Sequence, residues 1–241
     1  MSGHSKWKNI MHKKEKTDAQ KAKIFTKIGK EISMAVKQFG PDPVSNTKLR
    51  DLIAKAKSFN VPNDNIERII KKASGNDGEQ YEVVTYEGYG IGGVAIIVEA
   101  TTDNRNRTTA DVRHYFDKYG GNLGTTGCVS FLFEDKGVII VDAEDADEDR
   151  FMEDALDSGA EDFSKEGDVF EVLTDVNDLN AVKEAVAAKG YKIISAEPDK
   201  IPSTYVTLTD EEQKVKMQKL LDMLEDNDDV TNVWHNWDNE E

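Results

Sequence analysis

From Thr17 onward, Ile24, Phe25, Ile28, Ile32, Ala35, Val36 and Phe39 recur at the spacing that gathers side chains on one face of an α-helix, with Lys21, Lys23, Lys27, Lys30 and Lys37 between them. Gly40-Pro41-Asp42-Pro43 stops this helix. A second helix carries Leu49, Leu52, Ile53 and Ala56 and ends before Val61-Pro62. A third starts at an Asn63 cap and turns Ile66, Ile69, Ile70 and Ala73 inward. It stops at Gly75, with Lys71 and Lys72 near its negative end.

Beyond Gly75-Asn76-Asp77-Gly78 the period falls to two. Tyr81–Glu87 and Val94–Ala100 read as strands joined by the Gly88–Gly93 turn, followed by a helix with Val112, Tyr115, Phe116 and Tyr119 on one face. A Gly-rich loop then leads to a strand expected over Cys128–Phe133. Next come a strand at Gly137–Asp142, a helix with Phe151, Met152, Ala155 and Leu156, a hairpin of Glu161–Lys165 with Val169–Leu173, a helix over Asp178–Lys189, and a strand at Tyr191–Glu197. That run is a complete βαββαβ set. The remaining strand at Thr204–Leu208, helix with a Thr209/Glu212 capping box, and strand near Val230–His235 make a β-α-β too small to fold alone. It must dock on residues 81–133. The expected fold class is α+β: an N-terminal helical domain (1–78), then two α/β domains of βαββαβ-like layers, one (134–202) inserted into the other (79–133 with 203–241).

Composition alters this picture through charge. The 241 residues include 31 Lys and Arg against 47 Asp and Glu, a net charge of −16, which by itself argues against a polyanionic partner. Residues 1–75, however, hold 17 of the basic side chains and 7 of the acidic ones, a balance of +10, so the other 166 residues carry −26. The chain is a basic module on an acidic body. No apolar run approaches the roughly 18 residues of a membrane span. The opening Met-Ser-Gly-His-Ser-Lys-Trp has neither an apolar secretory core nor Gly at position 2. A single cysteine, Cys128, excludes an internal disulfide and a Cys-based zinc site, so a cytoplasmic location is expected.

Enzyme constellations are absent. His4, His12, His114 and His235 lack metal spacing, there is no Gly-x-Ser-x-Gly elbow, and no catalytic or metal-binding residue is expected. The acidic run Asp142–Asp149 lacks the turn glycine of a calcium loop and reads as a helix start. Gly88-x-Gly-x-Gly-Gly93 precedes a strand, not a helix, and so reads as a hairpin turn rather than a nucleotide loop. Gly120–Gly127 reads as a helix C-cap with close backbone approach; its functional reading is a loop lying flat against a nucleic-acid backbone.

The candidate nucleic-acid-binding residues are Lys6, Trp7, Lys8, Lys13, Lys14, Lys16, Lys21, Lys23 and Lys27, a cationic run holding only Glu15 and Asp18 in opposition. Trp7, in a polar segment with no evident core to join, reads either as a base-stacking group or as tucked onto its own helices. Arg105, Arg107 and Arg113, beside His114, form a secondary candidate. The i,i+4 pairs Arg107/Asp111 and Arg113/Asp117 give a surface salt-bridge role equal standing.

Several spaced motifs carry a resemblance: Met1–Trp7, Lys23-Ile-Phe-Thr-Lys27, Val61-Pro-Asn-Asp-Asn-Ile-Glu-Arg68, Tyr86-Glu-Gly-Tyr-Gly90, Thr102-Asp-Asn-Arg-Asn-Arg-Thr108, Gly120-Gly-Asn-Leu-Gly124 and Asp228-Asp-Val-Thr-Asn-Val-Trp-His-Asn236. Over its whole length the chain resembles the YebC/PmpR family. Ile91 stands where the family usually has proline, and Cys128 where it often has serine. The resemblance implies a cytoplasmic three-domain protein around a central cavity, with no cofactor and no known catalysis. It implies a DNA-binding transcriptional regulator, or a translation factor that eases ribosomes through proline-rich stretches. The expected partner is nucleic acid, either duplex DNA or ribosomal RNA, with no membrane. No helix carries the Arg, Asn and Gln of a recognition helix, and a Lys-rich arm suits shape and phosphate recognition of RNA. A third reading is a protein-interaction scaffold whose acidic domains hold a basic partner.

Overall fold

The structure, a computed structural model, describes Trp7 and residues 18–75, 80–144 and 146–238, without the side chains of 18–21. It divides into two compact units. Of the described residues, one contains 18–75, 80–131 and 206–237; the other contains 132–144, 146–205, Asp238 and Trp7.

The first unit opens with α1 (Asp18–Phe39), α2 (Thr47–Ser58) and α3 (Asn63–Ala73). Ile28, Ile32, Ala35 and Val36 of α1 pack with Leu49, Leu52, Ala56, Val61, Ile66 and Ala73 in a core of their own. The corner between α1 and α2 is held by buried Asn46. Its Oδ1 accepts from Leu49 N at 3.0 Å, and its Nδ2 donates to Ala35 O at 2.9 Å and Gly40 O at 2.8 Å. Gly40, at φ +89°, turns the chain there. Phe39, expected on the buried face, is 61% exposed because the helix ends at it and the corner is already filled. Asn63 is the first helical residue rather than the cap; Pro62 precedes it with no side-chain bond to the helix.

The same unit continues with β1 (Glu82–Tyr89), β2 (Ala95–Thr102), α4 (Arg105–Lys118) and β3 (Asn122–Leu123). After the second unit has intervened, short β8 (Val206–Thr207), α7 (Glu211–Asp226), β9 (Val230–His235) and β10 (Trp237–Asp238) complete it. The sheet order is β3-β1-β2-β9, antiparallel throughout, and β8 pairs with β10. β9 pairs antiparallel with β2. Ile96, Val98 and Ala100 of β2 face Val112, Phe116, Met217, Leu220 and Leu224 of α4 and α7. Asp210, not Thr209, caps α7 by accepting from Glu212 N.

The strand expected over Cys128–Phe133 is not formed; residues 130–132 make a 3-10 turn, and the next strand begins only at Phe133. The backbone donors that a ladder would use are spent on a side chain. Glu87, 4% exposed, accepts from Gly127 N at 2.7 Å, Val129 N at 2.9 Å and Ser130 N at 2.8 Å. Burial pushes its pKa up, but these donors more than offset that and hold it below the usual carboxylate range. Gly121 approaches Tyr89 O so closely that a Cβ would lie 2.7 Å away, as the close-approach reading of the glycine loop requires.

The second unit is the inserted βαββαβ set: β4 (Phe133–Asp142), α5 (Glu148–Asp157), β5 (Asp162–Glu166), β6 (Val169–Asp175), α6 (Leu179–Ala188) and β7 (Ile193–Pro202), in the antiparallel order β5-β6-β4-β7. Phe151 stacks on Phe170 at 4.2 Å between ring centroids in its core. Asp142–Asp149 does lead into a helix, with Asp147 capping α5.

Asn46→Ala leaves three backbone groups at the α1/α2 corner without their partner. It should destabilise the protein by about 2 kcal/mol in urea denaturation followed by circular dichroism.

Candidate nucleic-acid interface

Lys6, Lys8, Lys13, Lys14 and Lys16, together with the side chain of Lys21, lie outside the described residues. The remaining predicted residues have definite partners. Trp7 is half-buried and packs with Val138, Ile140 and Val169 on a face of the inserted sheet, beside Leu173, Ile194 and Ile201. The tryptophan therefore does have a core to join. It lies far from 7 in sequence, on alternate residues of strands that present one face to the α5/α6 core and the other to this cluster.

Lys23, Lys27 and Lys30 point from α1 to the end of α7 and the turn after it. Lys23 Nζ lies 2.6 Å from Asp226 Oδ1, Lys27 donates to Glu225 O at 2.5 Å, and Lys30 donates to Asp228 O at 2.9 Å. A helix C-terminus presents unsatisfied carbonyls and a negative dipole end, so cations there are favourable.

The strongest of these joints is Asp229, 4% exposed. One carboxylate oxygen takes the Lys30 ammonium at 2.6 Å, and the other takes Arg107 Nη2 at 2.7 Å and Thr108 Oγ1 at 2.8 Å. Burial raises its pKa, but Lys30, Arg107 and Thr108 together lower it to about 2. Arg107 also binds Asp103 at 2.9 Å, and both bonds push its pKa further up. The expected Arg107/Asp111 pair is replaced by these two contacts, and Asp111 instead accepts from Asn227. Arg105 and Arg113 are exposed, and Arg113 makes no ion pair with Asp117 among the described residues.

Sequence reasoning missed Asp229 and the role of Lys30. The signal was present in two motifs, Thr102–Thr108 and Asp228–Asn236, but nothing local says that they meet. Exposed cations of the helical module lie elsewhere: Lys48, Arg50 and Lys57 on α2 and Lys71 on α3 make no ion pair among the described residues. No group of His, Cys, Asp and Glu among the described residues is arranged to hold a metal ion. No described helix is long and apolar enough to cross a membrane.

Asp229→Asn leaves two cations short of their counter-charge and should cost about 3 kcal/mol of stability at neutral pH. Because the folded pKa is depressed, the carboxylate contributes fully above the unfolded value of about 4. That contribution is lost as pH falls through about 2. Denaturation midpoints should therefore fall more steeply between about pH 4 and pH 2 for the parent than for the Asn variant.

Comparison with known proteins agrees over the whole chain. Residues 5–76 match the family model of the TACO1/YebC protein N-terminal domain, and residues 81–237 match that of the TACO1/YebC second and third domain. A protein of Acetivibrio thermocellus named "Probable transcriptional regulatory protein" is 60% identical over 239 residues, spanning 98% of this chain and 99% of its own. One of Caldicellulosiruptor saccharolyticus with the same name is 57% identical, with both chains fully covered. The crystal structure of a conserved hypothetical protein from Aquifex aeolicus superimposes with a TM-score of 0.83 at 48% identity, covering 92% of each chain. With both family models matched over nearly the whole length, the chain belongs to the TACO1/YebC family.

Proposed function

We propose that this chain is a cytoplasmic nucleic-acid-binding regulatory protein, a DNA-binding transcriptional regulator, that grips phosphate with the cations of its N-terminal segment and helical module. The names of its relatives support a role in transcriptional regulation. The observation that carries the reading is the balance of +10 over residues 1–75 in a chain of −16. Only part of that excess is neutralised internally, since Lys23, Lys27 and Lys30 are held by residues 225–229. Lys6, Lys8, Lys13, Lys14, Lys16 and Lys21, with Lys48, Lys57 and Lys71, supply the phosphate contacts.

A second reading, binding to ribosomal RNA as a translation factor, is favoured by the make-up of α3. Its first turn carries the acidic Asp64, and Arg68 is engaged by Asn65 Oδ1 at 2.9 Å, which suits contact with shape and phosphate better than base-edge reading. Lysines that contact phosphate serve either target.

The test is fluorescence anisotropy with promoter and scrambled duplexes, beside co-sedimentation with ribosomes. Affinity should fall with salt, with a log-log slope of about −0.9 per phosphate contact on duplex DNA. The Lys13→Glu/Lys14→Glu/Lys16→Glu/Lys21→Glu variant should nearly abolish binding. Ribosome binding without sequence-dependent duplex binding selects the RNA reading. Undiminished binding by the quadruple variant removes the N-terminal segment from the interface, and survival of partner binding after deletion of residues 1–75 selects a scaffold.

A further inference from the structure

The corner between α1 and α2 carries an apolar knuckle on a fixed mount. Besides the three bonds of the Asn46 side chain, Asn46 N donates to Asp42 O at 2.9 Å and Val44 N to Asp42 Oδ1 at 3.0 Å. Phe39 continues the stripe of Ile32, Ala35 and Val36 along α1, yet it stands past their packing and is 61% exposed, while Val44 is 82% exposed. The Phe39 ring meets no other ring and no cation among the described residues. From the same corner α2 sets out with Lys48, Arg50, Lys55 and Lys57 against one acid, Asp51. Arg50, Ala54 and Lys57 share one exposed face at helical spacing, and neither cation makes an ion pair or a side-chain hydrogen bond among the described residues. Arg50 belongs to a first turn without an acid, at the end of a helix where a cation is least favoured, so its charge does not stabilise the helix that carries it.

We infer that this corner is a subsite for single-stranded nucleic acid, with an unpaired base stacked on Phe39 while Arg50 and Lys57 hold phosphates of the same strand. The inference rests on the nucleic-acid-binding reading and names the form of the ligand and the residues that take it. The ring argues for an unpaired base, because bases inside a duplex already cover one another's faces. The cations argue for a phosphate chain rather than a single phosphate. Seven residues separate them, about 10.5 Å along α2, so they reach different groups. The mount argues for a binding surface, since an aromatic ring on a corner already fixed by Asn46 and Asp42 loses little freedom when a ligand settles on it. Stacking is tolerant of base identity, which suits a protein that reads backbone and shape.

The test titrates labelled oligouridylate, oligothymidylate and a blunt duplex against the full chain, Arg50→Gln/Lys57→Gln, Phe39→Ala, Phe39→Tyr and Lys219→Glu, each with a melting curve. Loss of two phosphate contacts in the Gln pair should weaken single-strand binding about ten-fold and flatten its log-log salt slope by about 1.4. Lys219→Glu lowers the net charge by the same amount at an exposed α7 lysine that makes no ion pair among the described residues, and should leave both nearly unchanged. Phe39→Ala should weaken single-strand binding about ten-fold with the slope unchanged, and Phe39→Tyr should restore it. Duplex binding should change less in every variant. Tighter binding of oligouridylate than of oligothymidylate assigns the site to RNA and the reverse to DNA, and the inference holds in either case. If Phe39→Ala binds like the parent, or the Gln pair like Lys219→Glu, while the Lys13/Lys14/Lys16/Lys21 quadruple variant loses binding, the corner is not the subsite and the nucleic-acid reading stands. If the parent dimerises in sedimentation velocity and Phe39→Ala does not, a second copy covers the corner and the inference falls. If the parent binds no probe at low salt, both readings fall.

Discussion

The joint at Asp229 carries the architecture of the larger unit. A carboxylate this deeply buried is tolerable only when its charge is answered, and here it is answered from two directions. Lys30 arrives from the helical module, while Arg107 and Thr108 arrive from the first turn of α4. Thr102 Oγ1, at the end of β2, closes the group from beneath at 3.3 Å. One side chain in the turn between α7 and β9 thus fixes α1, α4 and the central strand of the sheet together. The three partners share one carboxylate and polarise one another through it, so the set is cooperative. Lys27 and Lys23, one and two turns earlier on α1, extend the same seam along the carbonyl end of α7.

Glu87 plays a comparable part within the α/β layer. It lies in the middle of β1, yet its carboxylate gathers the backbone of the loop that leads out of this unit. Tyr89, two residues on, donates its hydroxyl to Cys128 O at 3.1 Å. The loop rejects side-chain bulk from within: a Cβ on Gly124 would meet Cys128 Sγ at 2.5 Å. Burial, and then the charge of Glu87, pushes the Cys128 thiol pKa up. The motifs that mark the family in sequence therefore meet in pairs in space. Tyr86–Gly90 closes on Gly120–Gly124, Thr102–Thr108 on Asp228–Asn236, and Lys23–Lys27 on the turn before that last segment.

That pairing explains what the sequence could and could not reveal. The helices of the basic module and the alternation of the inserted domain are local patterns, and Ile28, Ile32, Leu49, Ile66, Phe151 and Phe170 are buried where their spacing puts them. The docking of β9 beside β2 followed from a global argument, that a β-α-β remainder cannot fold unaided. The errors arose where a distant side chain outcompeted a local rule. Backbone donors at 127–130 went to Glu87 rather than to a neighbouring strand, and Arg107 chose Asp229 over its helical neighbour Asp111. Trp7 found apolar partners more than a hundred residues away. A pattern within one element cannot anticipate such exchanges, because it does not contain the competitor.

The same limit governs the lysines. Along α1, Lys23, Lys27, Lys30 and Lys37 share one helical stripe, and their sequence neighbourhoods give no reason to separate them. Their partners do. The first three reach the acidic turn that ends α7, which offers carbonyls and carboxylates much as a phosphodiester chain offers oxygens. Lys37 stands two turns beyond Lys30, past that turn, and is exposed. The acidic end of α7 therefore has a structural part to play. By answering Lys23, Lys27 and Lys30 it commits those lysines to the fold, and the choice follows the position of residues 225–229 rather than the density of positive charge.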